Sequence, residues 1–260
     1  MSPYTGVVHG ASYSGSFGVP LLSGAAGFVE DVMFANRQVR HAFLCKVLVL
    51  VTLQLLATAA IASPIHAHKP ARKFLRANPW GCGLAAIAAF TVLLVAAWSE
   101  GARRRQPTNQ LLLALFTAAS GLLVGVASAT YSTPVPLLGL LLSASVSLAL
   151  VAYASQASRD FSASGGILYS ALVVLLVVSL ATWFLGFKTL HLLIAGCGAL
   201  VFSAYLVCDV QLLVSGDSGY QQVTPDEYVF AVINVYTDVI SSFMYVLQVL
   251  TQLQSSSDDD

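Results

Sequence analysis

The sequence predicts an all-α integral membrane protein, a bundle of seven transmembrane helices, and two observations support this. Of its 260 residues, 57% are hydrophobic and only 9% are charged, and the mean hydropathy is +0.78. Soluble domains carry about 25% charged residues, so this chain lacks the polar surface of a water-facing globule. The second observation is a series of apolar stretches of about 20 residues, the length that crosses a bilayer as a helix. The zero net charge argues against a nucleic-acid-binding protein.

The chain divides into a polar tail, a membrane domain and an acidic end. Residues 1–36 are rich in Gly, Ser and Tyr and are predicted to be disordered. The membrane domain is predicted over 37–253, followed by an acidic tail over 254–260. The predicted spans are His41–Ala62, Pro79–Trp98, Asn109–Thr130, Pro134–Ala154, Gly165–Phe187, Leu190–Val214 and Tyr228–Leu250.

The segments between the spans carry charge and turn signals. Thr224-Pro225-Asp226-Glu227 is a capping box with proline at the first helical position, and it predicts the start of the last span. The distribution of Lys and Arg favours a cytoplasmic N-terminus. The four cysteines show no metal-binding spacing and are interpreted as small apolar packing residues: Cys45, Cys82, Cys197 and Cys208.

Only two carboxyl groups lie deep inside the predicted spans, Asp209 in the sixth and Asp238 in the seventh. Ionisable groups in hydrocarbon cost about 2.5–3.5 kcal/mol or more and are functional candidates. They lie about 9 and 15 Å along their helices from the same loop, so antiparallel packing would bring them to nearly one level. Two adjacent carboxylates in a low dielectric share a proton. Deprotonated, they repel and offer the oxygen ligands that Ca²⁺ prefers, which predicts a pH-sensitive cation gate.

A polar stripe follows one face of the seventh span. Its residues recur at spacings of three and four, and they are Asn234, Asp238, Ser241, Tyr245 and Gln248. The stripe predicts a helix that turns its polar side towards a central path, with interhelical hydrogen bonding as the alternative. Tyr205, one turn before Asp209, is a further candidate for this lining. On the third span, Gly121 and Gly125 have the GxxxG spacing of close helix packing.

Several segments resemble the transmembrane Bax inhibitor motif family, and in particular its lifeguard branch. They are Cys208-Asp209-Val210-Gln211-Leu212-Leu213, Thr224-Pro225-Asp226-Glu227-Tyr228-Val229-Phe230 and Asn234-Val235-Tyr236-Thr237-Asp238-Val239-Ile240. The resemblance implies a seven-helix fold with the last helix central, a calcium leak across endoplasmic reticulum or Golgi membranes, and suppression of apoptosis. It places the family's two-aspartate pH sensor, with transient calcium binding, on Asp209 and Asp238. It implies no cofactor beyond calcium as the permeant ion.

The sequence departs from the family pattern at three points. The family usually has Thr where this chain has Val210, the lifeguard glutamate of the third span aligns with Ser120, and the loop over 215–223 is extended. Such divergence resembles that of virus-captured copies, including the cytomegalovirus seven-span proteins. Conductance and pH response are therefore expected to differ from those of the family.

Other classes of seven-span protein fit less well. The Asp-Arg-Tyr and Asn-Pro-x-x-Tyr motifs of receptors are absent, and no lysine after Lys188 is present for a retinal Schiff base. No Gly-x-Gly-Asp pattern of an intramembrane hydrolase surrounds either aspartate, so the chain is not expected to be an enzyme. The main alternative is a non-conducting adaptor that regulates apoptosis proteins or calcium channels of the host.

Overall fold

The computed structural model describes most of the chain as helix. The described residues are 21–78, 80–99, 101, 105–131, 134–156, 165–185, 188–215 and 228–258. The chain divides into two units, Met1–Val39 and Arg40–Asp260. The predicted capping box at Thr224–Glu227 lies outside the described residues, as does the start of the predicted polar tail.

Eight helices are described. They are α1 (Leu21–Ala67), α2 (Lys69–Ala77), α3 (Trp80–Trp98), α4 (Thr108–Thr130), α5 (Pro134–Gln156), α6 (Gly165–Leu185), α7 (Lys188–Ser215) and α8 (Tyr228–Asp258). Each of the seven predicted spans overlaps one of the described helices α1 and α3 to α8. α8 continues past the predicted end at Leu250, as far as Asp258.

Six of these helices are long and apolar enough to cross a membrane, which establishes a helical membrane bundle. The apolar part of α1 begins at His41. α6 is also apolar, but its apolar stretch, Gly166–Thr182, is shorter than those of the other spans. The count of seven spans therefore stays a prediction, and α6 is the helix that decides it.

Burial is concentrated in α4 and α8. In the most apolar stretch of α4, 56% of the residues are buried, and in that of α8, 50% are. The corresponding share is 11–28% in α1, α3, α5 and α7. α7 and α8 share the most extensive helix–helix contact, and α8 also packs against α3, α4 and α5. Large apolar side chains on α3, α5 and α6 are exposed, including Leu84, Leu148 and Ile167. In a membrane protein such outward residues face the acyl chains.

Two glycines of α4 allow α1 and α4 to approach each other closely where they cross. A Cβ atom added to Gly121 would lie 3.0 Å from Cβ of Ile61. One added to Gly125 would lie 3.1 Å from the backbone Cα of Ala62. The GxxxG ridge predicted on the third span is therefore a place where two helices approach closely, which is the ordinary use of such a ridge.

Candidate functional site

The candidate site lies where α7 and α8 pack against each other. α7 supplies Asp209 and α8 supplies Asp238, and a side-chain hydrogen bond joins the two carboxyl groups. The juxtaposition follows from antiparallel packing, since both residues lie a similar distance along their helices from the connecting segment. The sequence argument that these two aspartates meet therefore agrees with the geometry, while their role as a sensor stays a prediction.

Burial of the pair is unequal. Asp238 is only 5% exposed, and Asp209 is half-buried. One oxygen of Asp238, Oδ2, is buried and has no hydrogen-bond partner. A buried carboxyl oxygen without a partner costs free energy in any protonation state and more when the group is ionised. The pair is therefore a place where gain or loss of a proton changes the interaction between α7 and α8.

Tyr205 lies close to this pair. It interacts electrostatically with both carboxyl groups and with Tyr169 of α6. Cys208, next to Asp209 in the chain, also interacts with both aspartates, and it is a free, half-buried thiol. Tyr205 and Cys208 of α7 therefore both lie within electrostatic reach of the pair, and Tyr205 is one of the residues that the sequence analysis named for this lining.

The rest of the predicted stripe lies along α8 on the side of α7. Asn234, Ser241, Tyr245 and Gln248 are all half-buried. The ring of Tyr245 stacks on Phe202 of α7 with centroids 5.7 Å apart. A Cβ atom added to Gly198 would lie 2.6 Å from that tyrosine ring. Tyr245 therefore acts as a packing residue between α7 and α8 at its described position.

Gln211 of α7 is a buried polar residue that the sequence analysis did not single out. It is 9% exposed, and neither its amide nitrogen nor its carbonyl oxygen has a hydrogen-bond partner. It follows Asp209 by two residues on α7. Its signal in the sequence is an uncharged polar side chain inside an apolar span, and such side chains are less conspicuous than ionisable ones.

The opposite side of α8 carries a different polar network. Tyr236 shares a 2.6 Å hydrogen bond with Thr58 of α1, and its ring packs edge-on against Phe116 of α4. Gln54 of α1 donates to Thr117 of α4 at 2.8 Å. These bonds connect α1, α4 and α8 through neutral groups, so they hold the helices together independently of pH.

The network extends towards the start of α8. The ammonium of Lys46 lies 3.7 Å from the centre of the Tyr228 ring, and Asn109 donates to the hydroxyl of the same tyrosine at 3.2 Å. Cation–π contacts of this kind are worth about 0.5–2 kcal/mol. The charge of Lys46 therefore has a defined aromatic partner.

The site is poor in ligands for a resident metal ion. Within the part of the chain that the structure describes, no group of three or more His, Cys, Asp or Glu residues could hold a metal. Two carboxyl groups offer at most four oxygen atoms, whereas Ca²⁺ takes six to eight. The pair can contribute to a brief contact with a cation but does not form a complete calcium site by itself.

These features define the class of protein: a multi-pass helical membrane protein with an acidic pair between two of its helices. A family model described as inhibitor of apoptosis-promoting Bax1 matches residues 40–255. The chain belongs to this family, and the resemblance found in its C-terminal segments is confirmed.

Curated relatives agree with this assignment. Protein lifeguard 3 of Homo sapiens is 33% identical over 220 residues, which cover 83% of this chain and 70% of the relative. Protein lifeguard 3 of Mus musculus is 30% identical over 219 residues, covering 83% of this chain and 70% of the relative. Protein LIFEGUARD 3 of Arabidopsis thaliana is 32% identical over 226 residues, covering 85% and 89%. The similarity places the chain in the lifeguard branch.

Proposed function

We propose that this protein is a pH-sensitive calcium leak of an intracellular membrane, which lowers the calcium content of the store and thereby inhibits apoptosis. Membership of a family described as inhibitors of apoptosis-promoting Bax1 supports the second part. The acidic pair between α7 and α8 supports the first. The proposal includes α6 as a seventh span, an endoplasmic reticulum or Golgi location, and a cytoplasmic N-terminus. It assigns no enzymatic activity and no cofactor.

Proton sharing gives the pair its proposed gating role. With one proton between them, Asp209 and Asp238 hold α7 against α8 by a hydrogen bond. With no proton, two like charges about 4 Å apart repel by about 4 kcal/mol at an effective dielectric of 20. Repulsion of that size is comparable to the free energies that move helices between two packed arrangements. Loss of the proton therefore favours separation of α7 from α8.

The path itself is proposed to follow the α7-facing side of α8. Asn234, Ser241, Tyr245 and Gln248 line it, and Tyr205 contributes from α7. α8 is then the central helix of the conducting state. Separation of the aspartates exposes their oxygen atoms to a passing cation, and the partner-free Oδ2 of Asp238 is the first available ligand.

The test is calcium flux into liposomes that contain the purified protein, measured between pH 5 and pH 8. We expect flux to rise with pH, because the ionised pair repels. Asp209→Asn and Asp238→Asn remove one ionisable group each, and we expect each variant to lose the pH response. Asp217→Asn, in the predicted loop between the last two spans, is the matched control and should keep the wild-type profile.

A null result has a defined meaning. Flux no greater than in empty liposomes, from protein whose circular dichroism shows folded helices, would refute the leak. It would favour the non-conducting adaptor that regulates apoptosis proteins or calcium channels. Flux that is pH-dependent in both asparagine variants would retain the leak but remove the aspartate pair as its sensor.

A further inference from the structure

The short helix α2 joins α1 to α3 at one edge of the membrane. α1 ends at Ala67 and α3 begins at Trp80, and both are spans. The connecting helix must therefore lie where acyl chains give way to headgroups. No acidic residue occurs between Asp31 and Glu100, so every charged side chain of the segment around α2 is basic.

α2 is amphipathic, with a basic side and an apolar side. Lys69, Arg72, Lys73 and Arg76 follow one another at spacings of three, one and three. At about 100° per residue these four side chains fall within an arc of about 100°. The apolar residues lie opposite: Ala71, Phe74 and Leu75. A basic amphipathic helix of this pattern is typical of segments that lie in a membrane surface.

Aromatic residues mark the depth at which α2 lies. Phe74 is 58% exposed and Trp80 is 60% exposed. Exposed aromatic rings beside a span favour the interface between acyl chains and headgroups. Leu75 is covered on one side by the start of α3, since a Cβ added to Gly81 would lie 3.5 Å from Cδ2 of Leu75.

Contacts with α4 hold the helix in place. Arg76 donates from Nη2 to the carbonyl oxygen of Tyr131 at 2.8 Å and from Nε to that of Ala129 at 3.3 Å. Just before α2, Nδ1 of His66 at the end of α1 lies 3.1 Å from the carbonyl oxygen of Ser128 in α4. Arg76 thus occupies the carbonyl end of α4, where a cation is favoured. Lys69 and Lys73, by contrast, are exposed.

We propose that α2 binds the headgroups of anionic phospholipids through Lys69, Arg72 and Lys73, with Phe74 and Trp80 inserted beside them. The charge of an anionic headgroup complements a helix side that carries only positive charge. Lipid headgroups are favoured over other anions because α2 lies among them. Its apolar side is in the bilayer, so the local concentration of headgroups around its basic side is high. Basic residues next to a membrane attract anionic lipids additively, and salt screens the attraction.

The test uses Trp80 as a reporter in the full-length protein. Trp98→Phe and Trp183→Phe leave Trp80 as the single tryptophan of the chain. The protein is reconstituted in phosphatidylcholine liposomes that contain an equal fraction of either brominated phosphatidylserine or brominated phosphatidylcholine. We expect the serine lipid to quench Trp80 at least about twofold more strongly at low salt, with a smaller difference at high salt. Both leaflets contain the lipid, so the result does not depend on orientation.

Matched variants assign the effect to α2. Lys69→Gln, Arg72→Gln and Lys73→Gln together should make the two lipids quench equally. Arg103→Gln, Arg104→Gln and Arg105→Gln remove three charges from the next basic segment and should leave the preference unchanged. Lys69→Arg with Lys73→Arg keeps the charge and should keep the preference, which separates charge from folding.

Three outcomes would overturn the proposal. The first is equal quenching by the two lipids in the wild-type background, which would leave an acidic protein segment as the occupant of the basic side. The second is a preference that persists in the triple glutamine variant. The third is loss of the preference on addition of millimolar inorganic phosphate at constant ionic strength, since α2 would then bind free phosphate rather than lipid.

Discussion

Gly198 provides a direct test of how tightly α7 and α8 pack, at a level about 16 Å along α7 from Asp209. A Cβ atom at this position would lie 2.6 Å from two ring carbons of Tyr245. Non-bonded carbon atoms prefer about 3.5–4.0 Å, so Gly198→Ala requires a shift of about 1 Å. The ring cannot retreat freely because it stacks on Phe202 at 5.7 Å. Overpacking of this kind costs about 1–3 kcal/mol.

Gly196, two residues before Gly198 on the same helix, is the matched control. A Cβ atom there would have no neighbour within 4 Å. Both alanine variants gain helix propensity, about 1 kcal/mol each, so this contribution cancels in the comparison. We expect Gly198→Ala to be less stable than Gly196→Ala by about 1–3 kcal/mol.

Unfolding by sodium dodecyl sulfate in mixed micelles, followed by circular dichroism, measures this difference. A second substitution, Tyr245→Leu, removes the ring and should recover most of the stability that Gly198→Ala loses. The coupling free energy of the double-mutant cycle then belongs to the contact. If Gly198→Ala were as stable as Gly196→Ala, the described approach of α7 to the Tyr245 ring would be refuted.

Three further variants test the interior of the bundle by the same unfolding assay. Thr58→Val removes the 2.6 Å hydrogen bond to Tyr236 and should destabilise the protein by about 1–2 kcal/mol. The control is Thr52→Val, at an exposed position where the hydroxyl bonds within its own helix, and it should change stability by less than about 0.5 kcal/mol. Equal effects of the two substitutions would contradict the hydrogen bond between α1 and α8. Gln211→Met should raise stability by about 1 kcal/mol, because a carboxamide without partners is replaced by an apolar side chain of similar size. A loss of stability would instead show that the amide is hydrogen-bonded. Gly125→Ala should destabilise by about 1–3 kcal/mol because its Cβ would lie 3.1 Å from the backbone of α1, and a neutral result would exclude this close crossing.

Hydropathy predicted the positions of the helices well because apolar stretches and their boundaries are local properties of the sequence. Asp209 meets Asp238 because antiparallel neighbours place them at one level. The rotation of each helix about its axis is not a local property, since it depends on which neighbours fill the grooves. The pairing of Thr58 with Tyr236, 178 positions apart in the chain, could therefore not be derived from spacing.

The two sides of α8 differ in what their polar groups can do when pH changes. On the side of α1 and α4, hydroxyl and amide groups pair with one another, and Thr58, Gln54 and Asn109 each make at least one bond to another helix. None of these groups changes charge in the physiological range. On the side of α7 the described polar groups include two carboxyl groups that compete for a proton. Under the proposed function, a change of pH acts on one interface of α8 while the other keeps the helix in position, as a gate between two states requires.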